Sequence, residues 1–591
     1  MNRGFWLLAF LPVLGPALRA QSDVVRRAMR DEMARSMTAL HLDTMPAPYF
    51  ISYRIDDVRH TGVSSSLGGL SESGQSRSRR LTVEVRIGSY AFDNTNYFGA
   101  SGPAAFAALA GMGFGDAEEI PLDDDYLAIR RQLWLATDAA YKRALEELAG
   151  KRAALANTQA RSDSLPDFAH ATPAQTTDVR PDSVADRKAA EALARDLSAT
   201  LMTYPDLQRS QVSILGVDVY TEYLNSEGTR FGRAVPWWQL TVTAGTQAAD
   251  GMVLYRSFAV QAPSFSGLPA RADALARAHR LGDDLERQRT DSVASIYHGP
   301  VLITGEAAAQ VFARVFGAQL IARRSSVSSN PIFARMMGAS LEDEIGSRVI
   351  ARFLNISDDP TLTTVAGHYV GGYRVDDEGV TTRRTALVSH GILKSLLGTR
   401  EPAKGAERST GNNRGGAADI STMIVTADSG LSDSAMKKKL LALVSDRGAS
   451  YGIIVRSIAD GSLGFGGAMA MFANVVRGMN GLSLPLTDAV RVYPDGHEEP
   501  IRGGGLGDLT LASFRDLVAA SDSSWTWTAP IPDMSGLPIQ FAGLMDFAAR
   551  RPPSSFVVPA LLFEDLSIDA HQGDTPKPPV VPPPWVKAGN H

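Results

Sequence analysis

The character of the chain changes near Gly299. Before this residue, long segments with apolar residues at helical spacing are mixed with strand-like runs. After it, glycine becomes frequent and short strand-like runs predominate. This change predicts a domain boundary near Gly299. At roughly 150 residues per domain, the 591 residues are enough for two to four domains with sizeable cores.

Periodicity assigns the elements of the first half. Helices are predicted at Asp23–Leu42, Leu127–Leu155, Ala185–Met202 and Leu268–Tyr297, and strands at Tyr49–Val58, Arg80–Ile87, Gln211–Tyr220 and Trp237–Ala244. Serine and glycine predict a long turn or loop at Ser64–Ser78. Three prolines predict a loop or linker at about 162–183.

The second half has a different pattern. Strands are predicted at Val301–Thr304, Tyr369–Tyr373, Ala386–Leu396, Gly452–Ile458 and Val490–Tyr493, with helices at Glu306–Leu320 and Ser434–Val444. The last residues, 571–591, are rich in proline, and we expect this tail to be of polyproline type and unpacked.

The first twenty residues predict a cleaved secretory signal. Arg3 supplies a positive start, an apolar run follows from Phe5 to Leu14, and small residues lead to Ala20. An uncleaved anchor is the alternative, but the run is short for a membrane span. We therefore expect a periplasmic or secreted protein with no membrane span after signal cleavage.

Composition excludes several classes of site. The chain contains no cysteine, which rules out disulfides, thiolate metal ligands and cysteine nucleophiles. The formal net charge of −5 gives no electrostatic basis for binding nucleic acid.

Common catalytic motifs are missing or out of context. No phosphate-binding P-loop motif occurs. Gly448–Gly452 matches the Gly-x-Ser-x-Gly nucleophile elbow, but its predicted helix comes before its predicted strand, which is the reverse of the required order. The ten histidines are too scattered for a helix to present two of them to a metal.

Two carboxylate clusters could hold a divalent cation. For Asp123–Asp125 we favour a role at the start of a helix, where negative charge complements the dipole. The second cluster, Asp376-Asp377-Glu378, is followed by Gly379 and belongs to a larger set of motifs.

That set occurs in a specific order. Asp358–Leu362 is followed by the Asp376–Gly379 turn, by a strand carrying Gly391-Ile-Leu-Lys394, and by a loop of Ser409, Thr410, Gly411, Asn412, Asn413 and Arg414. In order and spacing the set resembles the C-terminal domain of the TldD/PmbA (TldE) family of metallopeptidases. The resemblance covers roughly Gly299–Ile568 and, more faintly, Asn225–Gly228.

The resemblance implies an α+β chain, with an N-terminal α/β domain over 21–298 and a β-rich C-terminal domain over 299–570. It also implies dimers around a cavity that accepts peptides. In active TldD members a helix carries His-Glu-x-x-x-His: the two imidazoles and a distant Cys hold zinc, and the Glu serves as general base.

This chain departs from the family at those positions. Gly305 and Gln310 stand in the two His places, Glu306 alone remains, and the Cys is absent. The loss resembles the PmbA/TldE branch, whose members lack the zinc motif and partner an active TldD subunit. The resemblance therefore implies no zinc in this chain and makes Glu306 the one candidate catalytic residue, although a carboxylate in the first turn of a helix is also favoured structurally.

Three hypotheses follow. The first is an exported, metal-free subunit that binds extended or unfolded peptide and pairs with a TldD-like subunit or with itself. Asp376–Gly379 and Ser409–Asn412 are its candidate peptide-binding residues, and Gly461–Gly467 and Gly503–Gly507 are loops where a peptide could pair by its backbone. The second is an active peptidase with a site rebuilt around Glu306 and Asp376–Glu378. The third is a structural envelope protein whose Pro-rich tail docks to another component.

Overall fold

The structure is a computed structural model. It describes the following residues: 16–98, 118–157, 164–180, 186–324, 326–328, 341–460, 484–507, 509–531, 553–571, 575–579 and 581. The first described side chain is Val24. The first fifteen residues, Gly461–Gly467 and most of the Pro-rich tail lie outside these ranges.

Six α-helices fall within the described residues. They are α1 (Pro16–Ala39), α2 (Tyr126–Asn157), α3 (Arg187–Thr200), α4 (Arg271–Gln288), α5 (Gly305–Val315) and α6 (Asp433–Asp446). Five of them confirm helices that the periodicity predicts, to within a few residues at each end for all but α1, which begins seven residues before the predicted start. The exception, α4, is discussed below.

The N-terminal half is built on a mainly antiparallel sheet, with strands in the order β3-β2-β1-β7-β8-β6; β5 pairs with β2, and β9 pairs with β8. Its strands, and the short β4 that lies outside this sheet, are β1 (Pro48–Ser66), β2 (Gly69–Ser89), β3 (Phe92–Asp93), β4 (Tyr97–Phe98), β5 (Glu118–Glu119), β6 (Gln175–Thr177), β7 (Arg209–Asn225), β8 (Arg230–Gln247) and β9 (Val253–Ala262).

The C-terminal half is built on a mixed sheet, with strands in the order β10-β21-β20-β19-β11-β24-β18-β13-β16-β17 and with β22 and β23 attached to β24. The remaining strands are β10 (Ser292–Val293), β11 (Tyr297–Ile303), β12 (Val327–Ser328), β13 (Leu354–Asp358), β14 (Thr364–Val365), β15 (His368–Tyr369), β16 (Thr385–Ser389), β17 (Ile392–Leu393), β18 (Thr422–Ala427), β19 (Gly452–Ile458), β20 (Leu484–Val492), β21 (Glu498–Arg502), β22 (Gly505–Gly507), β23 (Leu517–Thr528) and β24 (Ser555–Asp569). The mixture of helices and strands confirms the predicted α+β class.

The two faces of the N-terminal sheet have different neighbours. Side chains alternate along a strand, so Trp238 and Leu240 of β8 pack under α3 and α4. Trp237, on the opposite face, packs against Tyr369 of the C-terminal half, with the two rings tilted by 43° and their centroids 5.1 Å apart. Helices thus cover one face of this sheet, and the second half of the chain contacts the other.

The helix α5 lies at the centre of the largest apolar cluster of the C-terminal half. Val311, Phe312 and Val315 are buried in this cluster, as the predicted apolar stripe requires, and Phe316 and Leu320 extend it beyond the helix end. Because one face of α5 is fixed by this packing, its first turn holds a defined position next to the N-terminal half.

The loop predicted at Ser64–Ser78 is wrong. This segment continues β1 and β2 as a long hairpin, with a tight turn between Ser66 and Gly69. Hydrogen bonds to neighbours outweigh the weak strand propensity of serine, since β1 also pairs with β7 up to Ser65, whose hydroxyl lies 2.7 Å from that of Ser198 on α3. In the linker predicted at 162–183, the described part contains only the short strand β6.

The helix predicted over Leu268–Tyr297 extends too far at its C-terminal end. α4 stops at Gln288, and Tyr297 already belongs to β11, where it pairs with Ile568. A pairing between residues so far apart in sequence leaves no trace in local periodicity. The predicted domain boundary at Gly299 falls inside β11, and the predicted domain limits stay predictions.

Three further expectations need correction. Gly505–Gly507 is a strand with both edges occupied, by β20 and by β24, so it offers no free edge for a peptide. The strand predicted at Tyr369–Tyr373 is limited to β15, and β9 was not predicted. The described part of the Pro-rich tail is packed at one point, where the carbonyl of Pro576 accepts a hydrogen bond from Gln247 Nε2 at 2.9 Å.

Candidate functional site

The first two turns of α5 contain the three residues that the sequence places in the family's zinc motif. Gly305 has φ of +58°, a left-handed conformation that suits glycine and strains a residue with a side chain. Thr304 occupies the N-cap position without a side-chain hydrogen bond to the helix. The backbone at position 305 is thus adapted to glycine.

Glu306 and Gln310 are neighbours on one face of α5. Gln310 Nε2 donates a hydrogen bond of 2.7 Å to Glu306 Oε1. Gln310 is 1% exposed, and its Oε1 has no hydrogen-bond partner among the residues that the structure describes. A buried amide oxygen without a donor is costly, which makes it a feature to be explained.

The environment of Glu306 favours its neutral form. Burial, reinforced by the nearby carboxylate of Asp460, raises the pKa of Glu306 to about 7, although the hydrogen bond from Gln310 opposes this rise. Asp460 itself lies 3.7 Å from Arg314. Glu306 can therefore gain or lose a proton near neutral pH.

These side chains open onto a cavity of about 420 Å³ between the two halves of the chain, which we call the cleft. The N-terminal half contributes β9 and α4, and the C-terminal half contributes α5, the end of β19, β20 and β23. Its lining residues are Tyr255, Arg256, Ser257, Phe258, Arg277, Arg280, Leu281, Asp284, Glu306, Gln310, Ser457, Ile458, Ala459, Asp460, Thr487 and Trp525. The volume is typical of ligand-binding sites.

A larger cavity of about 1110 Å³ lies beside α1 and the turn between β7 and β8. None of the α5 residues lines it. Its buried carboxylate, Glu222, is ion-paired with Arg26 at 2.7 Å. We place the candidate site at the cleft, because Glu306 and Gln310, which stand in the positions of the family's zinc motif, line it and do not line the larger cavity.

The carboxylates of the Asp376–Gly379 turn are engaged by the chain itself. Asp377 accepts hydrogen bonds from Arg54 of β1, at 2.6 Å, from Arg233 of β8, and from the backbone N–H of Gly415 at 2.7 Å. Burial alone would raise the pKa of Asp377, but the two guanidinium groups hold it far below its usual range. We call Arg54, Arg233 and Asp377 the interdomain clasp, since it joins the two halves.

The other members of the turn are also occupied. Asp376 accepts backbone N–H groups of Glu378, Val380 and Asn413 at 2.8–3.1 Å, and Glu378 accepts the backbone N–H of Arg400 at 2.7 Å. Burial raises the pKa of both carboxyl groups. A Cβ at Gly379 would lie 2.5 Å from Thr229, so only glycine lets the turn approach the N-terminal half this closely.

The Ser409–Asn412 loop is held in the same way. Thr410 Oγ1 bonds to the backbone of Gly398, and Ser409 Oγ accepts the backbone N–H of Gly411 at 3.2 Å. Asn412 Nδ2 donates to Asp358 Oδ2 at 2.7 Å, and both side chains are 0% exposed. Most of their polar atoms have partners within the chain, but Asn412 Oδ1 is buried without a hydrogen-bond partner among the described residues. The peptide-binding role expected of these residues and of the Asp376–Gly379 turn stays a prediction.

The structure does not bring Glu306 into contact with the Asp376–Glu378 turn. None of the turn residues lines the cleft, and the two groups have separate partners. The cleft residues that the sequence did not identify, among them Arg277, Arg280 and Trp525, come from segments far apart in the chain. The one available signal was that Arg277 and Arg280 stand three residues apart on a predicted helix.

Two minor motifs have structural roles. Asp125 accepts the N–H of Ala128 at 2.7 Å and so caps the start of α2, which confirms the expectation for this cluster. The Gly448–Gly452 segment lies between α6 and β19, with the helix first, so it does not form a nucleophile elbow.

Zinc does not fit the residues at α5. Position 305 has no side chain, Gln310 contributes only an amide, and Glu306 is a single carboxylate. Within the described ranges, no three His, Cys, Asp or Glu side chains are grouped so that they could hold a metal ion. Zinc sites in proteins need three or four such donors.

Residues 297–474 match the PmbA/TldA metallopeptidase C-terminal domain family. This match includes α5, the Asp376–Gly379 turn and the Ser409–Arg414 loop. These residues therefore form a C-terminal domain of the TldD/PmbA family.

Named relatives of this chain are archaeal metalloproteases. The chain is 38% identical over 74 residues to one from Methanocaldococcus jannaschii, covering 12% of this chain and 16% of that protein. It is 40% identical over 63 residues to one from Methanothermobacter thermautotrophicus, covering 11% and 13%. The matched segments thus span less than a fifth of these relatives.

Two solved structures resemble more than nine tenths of the chain. A Thermotoga maritima protein, named for a suggested modulation of DNA gyrase, aligns with a TM-score of 0.57 at 11% identity, over 92% of this chain and 99% of its own. TldE from Thermococcus kodakarensis aligns with a TM-score of 0.52 at 11% identity, over 93% and 100%. At this identity the likeness establishes the fold.

Proposed function

We propose that this chain binds extended peptides in the cleft and does not hydrolyse them with a metal ion. The observation that carries the proposal is the N-terminal part of α5. There, Gly305 and Gln310 replace the two histidines of the zinc motif, yet Glu306 and Gln310 still face an open cavity between the two halves. A peptidase fold that has lost its metal ligands keeps the cavity that accepts a peptide, but it cannot activate water with a metal ion.

The strand β9 supports binding of an extended peptide. β9 pairs with β8 on one side, and its other edge has no backbone partner among the described residues. Four of its residues, 255–258, line the cleft. A peptide could therefore add to this edge by backbone hydrogen bonds, with little demand on its sequence.

The partner is proposed from the fold. A TldE structure is among the structural neighbours, and the absence of histidine at positions 305 and 310 supports a TldE-like role for this chain. We propose that the chain pairs with a TldD-like subunit or with a second copy of itself. Size-exclusion chromatography with light scattering, alone and with an exported TldD homologue, separates these two cases from a monomer.

One observation favours a second candidate function. Glu306 titrates near pH 7 beside Asp460, in an open cavity, which is the arrangement expected of a general acid or base. An acid–base peptidase without metal is therefore the alternative. Incubation with unfolded casein, with and without chelator, tests it: cleavage that resists chelator and is lost in Glu306→Gln would establish this alternative, whereas an intact substrate supports the non-catalytic role.

Binding is tested by filling the cleft. Ser257 is a small lining residue of β9, so Ser257→Trp should occupy the cavity and abolish binding of a labelled unstructured peptide measured by fluorescence anisotropy. Val253→Trp is the matched control, because Val253 is 54% exposed on the same strand and does not line the cleft. Equal binding by both variants would refute the proposed site.

We also propose that the chain is exported. The signal-like pattern of residues 1–20, with a positive start, an apolar run and small residues before Gln21, supports this proposal. Within the described residues, no helix has the length and apolar character to cross a membrane. Fractionation of expressing cells, with N-terminal sequencing of the product, tests export: a mature chain beginning at Gln21 is expected.

A further inference from the structure

One wall of the cleft carries uncompensated positive charge. Arg277 and Arg280 stand three residues apart on α4 and both line the cavity. Both are exposed, and neither forms an ion pair or hydrogen bond with any residue that the structure describes. Their guanidinium groups are therefore available to a ligand.

The acidic side chains of the cleft have partners. Asp284 lies 3.4 Å from Arg256 and also pairs with Arg287. Asp460 lies near Arg314, and Glu306 accepts a hydrogen bond from Gln310. Near pH 7 part of the Glu306 population is neutral, which lessens its repulsion of an anion. The α4 wall thus leaves two positive charges unmatched.

The rest of the lining suits a peptide. Trp525, 49% exposed, and Tyr255 supply aromatic surface, and the buried Oε1 of Gln310 would accept a hydrogen bond from a bound N–H group. An anion alone would use only the arginines. The combination of arginines, aromatic surface and an unpartnered acceptor matches a polypeptide that carries carboxylates.

We propose that the cleft selects peptide segments bearing carboxylate groups, and that Arg277 and Arg280 are the residues that recognise them. Guanidinium groups bind carboxylates through two parallel hydrogen bonds, and this bidentate geometry adds specificity to the electrostatic attraction. This inference rests on the proposed peptide binding and names the class of peptide. The carboxylates could belong to Asp and Glu side chains or to the peptide's C-terminus.

The test uses labelled extended peptides of about ten residues, a length comparable to that of β9. Three peptides share one backbone and carry Glu, Gln or Lys at the same positions, each with a free or an amidated C-terminus. Affinities are measured by fluorescence anisotropy with the full chain and with Arg277→Gln/Arg280→Gln. The control, Arg131→Gln/Arg352→Gln, removes the same charge from two exposed arginines outside the cleft.

The full chain and the control variant should bind the Glu peptide about fivefold more tightly than the Gln peptide, and the Lys peptide most weakly. In Arg277→Gln/Arg280→Gln this preference should disappear while the Gln peptide binds as before. Tighter binding of the free-acid peptides than of their amidated forms would identify the terminal carboxylate as the group recognised. A preference for the Glu peptide over the Gln peptide that survives amidation would identify the side chains.

Binding that depends neither on the side-chain charge of the peptide nor on its free C-terminus would overturn this inference and leave the proposed peptide binding intact. So would a dependence on either that survives in Arg277→Gln/Arg280→Gln. If no peptide of any charge binds, the proposed peptide binding fails and the inference fails with it.

Discussion

Glu306 at the start of α5 meets one hydrogen-bond donor among the described residues, whereas Asp377 in the interdomain clasp meets two guanidinium groups and a backbone N–H. Burial raises the pKa of Glu306 to about 7, and the arginines lower that of Asp377. The first region leaves polar atoms facing a cavity, whereas both carboxylate oxygens of Asp377 have partners within the chain. A carboxylate whose oxygens all have partners within the chain stabilises the fold. A carboxylate with few such partners is available to act on a ligand.

The largest effect on stability is expected from a substitution in the clasp. Asp377→Asn removes the charge between two mostly buried arginines and should destabilise the chain by about 3–5 kcal/mol, since an uncompensated buried charge is expensive. Unfolding in urea, followed by circular dichroism, measures this loss. Asp565→Asn is the control, because its ion pair with Arg447 is exposed and should be worth less than about 1 kcal/mol. A similar loss in both variants would show that the clasp is an ordinary surface interaction.

A smaller loss of stability is expected from a substitution in the Ser409–Asn412 loop. Asn412→Ala leaves the fully buried Asp358 without its amide donor, and should cost about 2 kcal/mol. Because burial already raises the pKa of Asp358 to about 7, protonation should recover part of the loss as the pH falls from 8 to 6. Denaturant unfolding at the two pH values checks this expectation, and a loss that is independent of pH would contradict it.

A substitution in α5 is expected to raise stability rather than lower it. The carboxyl group of Glu306 holds its proton more tightly when folded, with a pKa of about 7 against 4.5 for the free side chain. The unfolded chain therefore loses its proton first as the pH rises, so stability should fall between pH 4.5 and 7 and stay level above. Glu306→Gln removes this dependence and should stabilise the chain by about 2 kcal/mol at pH 8. Thermal unfolding of both chains across this range measures the difference, and a destabilised Glu306→Gln at pH 8 would contradict the account.

The smallest effect is expected on the α4 wall. Arg277→Gln/Arg280→Gln removes two exposed charges without partners in the described residues and should change the free energy of unfolding by less than about 0.5 kcal/mol. Urea unfolding checks this expectation. A loss comparable to that of Asp377→Asn would mean that these arginines support the fold and are not free for a ligand.

The sequence predicted the helices α2 and α5 and the strand β19 well, because their apolar residues repeat over one or two turns or alternate within a few residues. It also placed Gly305, Glu306 and Gln310 on one helix. It could not predict that Ser64–Ser78 forms a hairpin or that Tyr297 pairs with Ile568, since these pairings depend on distant strands.

The same limit applies to the site. The most recognisable motif, Asp376–Gly379, is part of a contact between the two halves of the chain, while the residues that line the cleft come from segments as far apart as Tyr255 and Trp525. Motif order identifies the family, because it records which residues the fold needs. It does not show which of them face a cavity.

The central claim is that α5 presents no zinc site, and the metal content of the purified chain tests it most directly. The protein is incubated with excess zinc, desalted, and analysed by inductively coupled plasma mass spectrometry beside Glu306→Gln. The account predicts substoichiometric zinc, equal in the two proteins. One zinc per chain that is lost in Glu306→Gln would contradict it.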